Sequence, residues 1–302
     1  MKPEEVLKIK EYFLLLQGRV CTALEAHENI SFIEDIWKYE NGSGGGRTRV
    51  LEGGMVLEKA GVNFSHVHGE KLPTSTVNMK PDLKGYSFQA MGVSVVIHPH
   101  NPMIPTTHMN VRFIVAEKEN QEPIWWFGGG FDLTPYYPYQ EDCVHWHKEA
   151  YKACKPFGEG LYKKFKDQCD NYFYLPHRNE TRGIGGLFFD YYNTNGLNNS
   201  FDFVKSVGDH FLTAYIPILI KRKHLEFTEE EKNFQLYRRG RYVEFNLLFD
   251  RGTHFGIQSQ GRTESILMSL PPVTKWIYNY KPDPKSREED LYKKFLIKRD
   301  WI

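Results

Sequence analysis

The chain has 302 residues, 40% hydrophobic and 25% charged, an ordinary balance for a soluble globular protein with a sizeable core. Its 39 basic and 38 acidic residues leave a net charge of +1 with no long like-charge run, which gives no electrostatic footprint for nucleic acid. The N-terminal residues interleave charged with apolar side chains, unlike a signal peptide, and no run of about 18 apolar residues is present to span a membrane. The 4 cysteines form no CxxC pair and no disulfide framework, which points to a reducing compartment.

Pro3, Glu4 and Glu5 suit the first turn of a helix, and Ile9, Phe13, Leu16, Val20 and Leu24 then form one apolar stripe. The Gly-rich stretch Asn41 to Gly54 reads as a flexible loop. Val93 to His98, Asn110 to Glu117 and Ile124 to Phe127 predict strands. Gln140 to Cys154 and Glu159 to Cys169 predict helices, separated by Pro156 and Gly158. Phe201 to His224 predicts a longer helix that Pro217 should kink or break. Thr228 and Glu231 make a capping box, and Gly240 falls where that helix would end. Tyr242 to Phe249, a turn at Asp250-Arg251-Gly252, and Thr253 to Gln258 read as an antiparallel hairpin. Ser286 with Glu289 caps a last short helix. No repeat and no linker divides the chain, so one domain over residues 1–302 is expected. The strands are not spaced by regular helices, which predicts α+β with a large, mainly antiparallel sheet rather than a doubly wound parallel one.

Three Gly-rich sites, at Gly42, Phe127 and Gly183, complete neither GxGxxG nor a phosphate-binding GK[ST] motif. Their glycines fit positive φ or close backbone approach to a ligand. HxH occurs at His66/His68, His98/His100 and His145/His147. On a strand such a pair faces one side and can clamp a metal; on the helix predicted for the last pair, at most one member enters a given site. Hydrogen-bonded core or surface histidines are the plainer reading. Asp132 follows three glycines and two tryptophans; burial there would raise its pKa unless a cation or N–H donors partner it. Capping of the Leu133-Thr134-Pro135 turn explains it equally well. Arg238, Arg239, Arg241, Arg251 and Arg262 cluster, which suits carboxylate recognition, although a solvated, ion-paired surface accounts for most of such a group. Arg112 shares a strand face with Asn110 and Ile114 and needs an anion if buried.

At these residues the sequence closely resembles the oxygen-dependent coproporphyrinogen-III oxidases, nearly end to end. The segments that carry the likeness include AGVNFSHVHGE from Ala60, MGVSVVIHPHNP from Met91, HMNVRF from His108 and WWFGGGFDLTPYY from Trp125. Others are EDCVHWH from Glu141, DQCDNYFYLPHRNETRGIGGLFFD from Asp167, NFQLYRRGRYVEFNLLFDRGT from Asn233 and QGRTESILMSLPP from Gln260. Tyr191 departs from the family, which often has a second Asp there, and the stretch after it is also unusual.

The resemblance implies a large antiparallel sheet flanked by helices on both faces, a homodimer in contact around Tyr242 to Ile277, and no organic cofactor. It implies oxidative decarboxylation of two propionates of coproporphyrinogen III to vinyl groups, giving protoporphyrinogen IX, with O2 consumed and CO2 and H2O2 released. Ser94, Asn110, Val111, Arg112, Gln260, Gly261 and Arg262 become substrate contacts. His108 becomes a proton donor, Asp132 a holder of the pyrrole nitrogens, and Arg112 joins them as a catalytic residue. Some members are described with a divalent metal on four histidines, here His98, His108, His147 and His177; others are described as metal-free. The chain starts near the family's common core, without the presequence of mitochondrial members, which implies a cytoplasmic location. A metal-dependent oxygenase built on the HxH pairs and a porphyrin carrier without turnover are the alternatives from other classes.

Overall fold

The computed structural model describes residues 1–40, 42–72, 74–258 and 261–302. Helix α1 (Pro3–Glu25) buries the stripe Ile9, Phe13, Leu16, Val20 and Leu24, each 1% exposed or less. The strands that follow are β1 (Ile33–Lys38), β2 (Gly44–Glu52), β3 (Leu57–Gly69), β4 (Ser87–Pro99), β5 (Thr106–Glu117) and β6 (Ile124–Thr134), with the short α2 (Thr74–Met79) between β3 and β4. Helices α3 (Gln140–Cys154) and α4 (Leu161–Tyr172) come next, then a ribbon of β7 (Tyr174–Leu175) and β8 (Glu180–Thr181), and then β9 (Gly185–Tyr192). The chain ends with α5 (Gly196–Arg222), α6 (Glu229–Leu248), α7 (Arg251–Gln258), α8 (Thr263–Leu267) and α9 (Arg287–Asp290).

Among the described residues, seven strands form one antiparallel sheet in the order β1-β2-β3-β4-β5-β6-β9. Side chains alternate across it. Val62, Phe64, Val93, Val95, Met109, Val111 and Phe113 face one way and pack with residues of α1, α3 and α5 in the main core. The other face is covered from α6 to α8. Gln235 and Arg239 donate to the Pro99 carbonyl, His98 meets the Ser269 carbonyl, and Tyr242 packs edge-on against His98. The result is an α+β fold with helices on both sides of the sheet.

Four local expectations are corrected. Gly44 to Glu52 is strand β2, not loop; Gly46 lies opposite Trp37, and a Cβ there would collide with the indole. Gly240 does not end a helix. It sits inside α6, where a Cβ would stand 3.1 Å from the Lys275 carbonyl, and the chain passing over it hydrogen-bonds back to Leu236. Tyr242 to Gln258 is therefore no hairpin: α6 runs to Leu248, and Asp250 accepts from the Thr253 N–H to open α7. Helix α5 runs unbroken through Pro217, because the Thr213 carbonyl that proline cannot reach takes a hydrogen bond from His145 Nε2 at 3.1 Å.

Candidate active site

A cavity of about 430 Å³ opens between the sheet and the layer from α4 to α8. Register sets its floor. Asn63, Ser94, Asn110 and Gly130 form one row across β3 to β6; Ser65, Gly92, Arg112 and Gly128 form the next. A third row, Val96, His108, Asp132 and Gly186, crosses β4, β5, β6 and β9. Arg112 thus lies between two glycines, and a Cβ on Gly128 would stand 2.7 Å from its Nε. The missing side chains let the guanidinium lie flat across β6. It reaches Asp190 Oδ1 on β9 at 2.9 Å and donates to Asn110 Oδ1 at 3.0 Å. Burial, then the Asp190 charge, are the main influences on Arg112, and the second prevails to raise its pKa. Arg251 Nη2 stands 3.6 Å from Asp190 Oδ2, so one carboxylate joins two arginines at the cavity wall.

His108 lines the cavity and bonds through Nδ1 to Asp132 Oδ1 at 2.9 Å. Asp132 Oδ2 receives Arg182 Nη2 at 2.8 Å, and both residues are 2% exposed. The guanidinium carbon of Arg182 lies 4.1, 4.4 and 4.7 Å from the ring centroids of Phe173, Tyr242 and Phe245, and Nη1 donates to Asn246. Burial alone would raise the Asp132 pKa; the Arg182 charge and the His108 bond outweigh it and hold the carboxyl below its usual value. The arrangement is a line from a cavity-facing imidazole through a buried carboxylate to a buried cation. It fixes the ring and balances positive charge on it. On the facing wall Asp250 accepts from the Tyr172 hydroxyl at 2.7 Å and from Thr253 at 2.8 Å.

A family model described as coproporphyrinogen III oxidase matches residues 8–301. The chain belongs to the coproporphyrinogen III oxidase family. Its activity is the oxidative decarboxylation of coproporphyrinogen III in haem biosynthesis. The family substrate carries four propionates and four pyrrole N–H groups, so arginines and carboxylates on one wall are what an oxidase of this family has to offer it.

Of the residues expected to touch that substrate, Ser94, Asn110, Arg112, Gly261 and Arg262 line the cavity, as does His108. Gln260 lies outside the described residues. Val111 is corrected: its side chain points to the opposite face and is fully buried in the main core. Asp132 is corrected in part, because both its oxygens are engaged and it stands behind His108 and Arg182 rather than lining the cavity. Sequence reading missed Arg182, Asp190, Asp250 and Tyr172. Asp190 had a signal: it alternates with core residues Leu187 and Phe189, on the face where Arg112 needed an anion.

The arginine cluster is not a solvated surface. Arg238, Arg239 and Arg241 are 2%, 0% and 5% exposed and pair with Glu180, Glu58 and Glu244. The four histidines proposed for a metal are not brought together. His98 uses both ring nitrogens on Ser269 and Thr106, and His147 uses both on Ile184 and Tyr162. His177 pairs with Glu244 and His108 with Asp132. Among the described residues no three His, Cys, Asp or Glu side chains stand where they could hold one ion. The histidines as placed do not fit the expected metal.

Proposed function

We propose that the cavity binds coproporphyrinogen III with propionates on Arg112, Arg251 and Arg262, and that O2 is the oxidant. Each turn removes two hydrogens and CO2 from one propionate, leaves a vinyl group, and reduces O2 to H2O2, with no organic cofactor. Arginine forks suit carboxylates bidentately, and Ser94 and Asn110 add neutral hydrogen bonds beside them. Asp190 and Asp250 are the carboxylates that line the cavity and face the pyrrole N–H groups. Asp132 acts through His108, which exchanges a proton with the reacting ring. The electron-rich pyrrole meets O2 in a pocket walled by Trp126, Phe131, Phe173 and Phe188. The observation that carries this reading is the meeting of the His108–Asp132–Arg182 line and the Arg112–Asp190–Arg251 cluster at one cavity.

The chain works as one domain in a cytoplasmic homodimer. Leu247, Leu248, Phe249, Ile257, Trp276 and Ile277 are exposed apolar side chains within the expected contact, whereas Tyr242 at its start is buried in its own chain. No helix is long and apolar enough to cross a membrane among the described residues. The test is product analysis with the purified protein, with and without chelator, under air and under argon. Protoporphyrinogen IX forming only under air, with chelator harmless, supports the reading. Tight binding without turnover in air would make the chain a carrier, and loss of turnover on chelation would make it metal-dependent.

A further inference from the structure

Among the described residues edge strand β1 pairs only with β2, and Ile33 to Ile36 are exposed, yet one face of it is tied to the cavity. Residues two apart share a side, which puts Asp35, Trp37 and Tyr39 together. Trp37 and Tyr39 line the cavity. Trp37 Nε1 donates to Thr48 Oγ1 at 3.1 Å, and that hydroxyl meets Ser265 Oγ at 2.7 Å and Asn63 Oδ1 at 2.8 Å. The Tyr39 hydroxyl accepts from the Arg262 backbone N–H at 3.1 Å. Asp35 Oδ2 receives Arg262 Nη2 at 2.5 Å. All three side chains therefore converge on residues 262–265.

We infer that Asp35 and Tyr39 are positioning residues for Arg262, holding its guanidinium toward a substrate carboxylate. The inference rests on the reading that Arg262 takes a propionate. The Arg262 side chain, just before α8, has about four rotatable bonds to fix before its guanidinium can meet a carboxylate. With the backbone N–H fixed by Tyr39, Nη2 by Asp35 and Nη1 standing 3.5 Å from Ser265 Oγ, the guanidinium is set in place in advance, and less ordering is left for the moment of binding. The pair is too exposed to matter much for folding: Arg262 is 27% and Asp35 50% exposed. Its effect falls on substrate affinity. Trp37, directly opposite Gly46, packs β1 closely against β2.

The test is steady-state kinetics with coproporphyrinogen III on Asp35→Asn, Tyr39→Phe and Arg262→Lys. Asp35→Asn and Tyr39→Phe each raise KM about two- to tenfold with kcat and melting temperature held. Arg262→Lys raises KM further, and Asp35→Asn added to it has little more effect, because the group it positions is already gone. Ile36→Thr, on the outer face of β1, leaves KM at the parent value. An unchanged or lowered KM in Asp35→Asn, with Arg262→Lys still impaired, would overturn the positioning role and leave Arg262 in the site. An equal rise in Ile36→Thr would overturn it too, since the strand as a whole would then be acting. An unchanged KM in Arg262→Lys would remove Arg262 from the site and the inference with it.

Discussion

Replacing Asp132 by Asn separates the fold from the chemistry. The substitution keeps the shape but removes the charge that faces Arg182, which is 2% exposed. Breaking a buried pair from one side costs about 3–5 kcal/mol. Arg182 keeps Asn246 and three aromatic faces, so the lower end of about 3 kcal/mol applies. The double variant Asp132→Asn with Arg182→Met removes both charges, and stability returns to within roughly 1–2 kcal/mol of the parent. Activity does not return. His108 has lost the carboxylate that orients its ring, and a displaced general acid–base group costs on the order of a hundredfold or more in kcat. Urea unfolding and steady-state turnover with coproporphyrinogen III give the two numbers. A stable double variant with near-normal kcat would show that the His108–Asp132–Arg182 line is structural.

In Gly128→Ala the new methyl stands 2.7 Å from Arg112 Nε and pushes the guanidinium off Asp190; KM rises about tenfold, and an unaltered KM would contradict the flat placement of Arg112. His98 and His147 are held neutral by burial, His147 at about 3, whereas the unfolded chain protonates them near pH 6.5. Their share of stability is complete above about pH 6.5 and falls by about 1.4 kcal/mol per pH unit for each as the solution is acidified. Urea midpoints at pH 6.5 and 5 read the slope; a flat profile would refute the assignment, and His147→Gln should make it shallower, with His66, held at about 4 by burial, still contributing. Light scattering at micromolar protein should give twice the 35.4 kDa chain mass, and a monomer would contradict the dimer.

Strands β4, β5 and β6 were legible from sequence pattern, in runs such as Val93 to His98 that are rich in β-branched residues, whereas β1, β3 and β9 were not foreseen and Gly-rich β2 was read as a loop. Helix α1 was legible from its apolar stripe at a period near 3.6. Helix α6 was misread because its stripes contain arginines. Phe234, Tyr237, Arg241 and Phe245 follow the helical spacing, but a buried Arg counts as polar in a sequence pattern, while aromatic and β-branched residues imitate a strand. Its placement is decided by tertiary partners far away in sequence, Glu180 for Arg238 and Glu58 for Arg239. The site divided similarly. His108, Asn110 and Arg112 lie on one strand, and their shared face follows from spacing. Asp190 reaches Arg112 through the pairing of β9 with β6, and Arg182 reaches Asp132 from the segment between β8 and β9; local spacing gives neither contact.

The most direct measurement is a crystal structure of the protein soaked anaerobically with coproporphyrinogen III, so that substrate is held unreacted. The tetrapyrrole should lie over β4 to β6, with one propionate on Arg112 or Arg251, a second on Arg262, and His108 within hydrogen-bond reach of the ring whose propionate reacts. A tetrapyrrole bound outside this cavity, or inside it with its propionates turned away from these three arginines, would contradict the account.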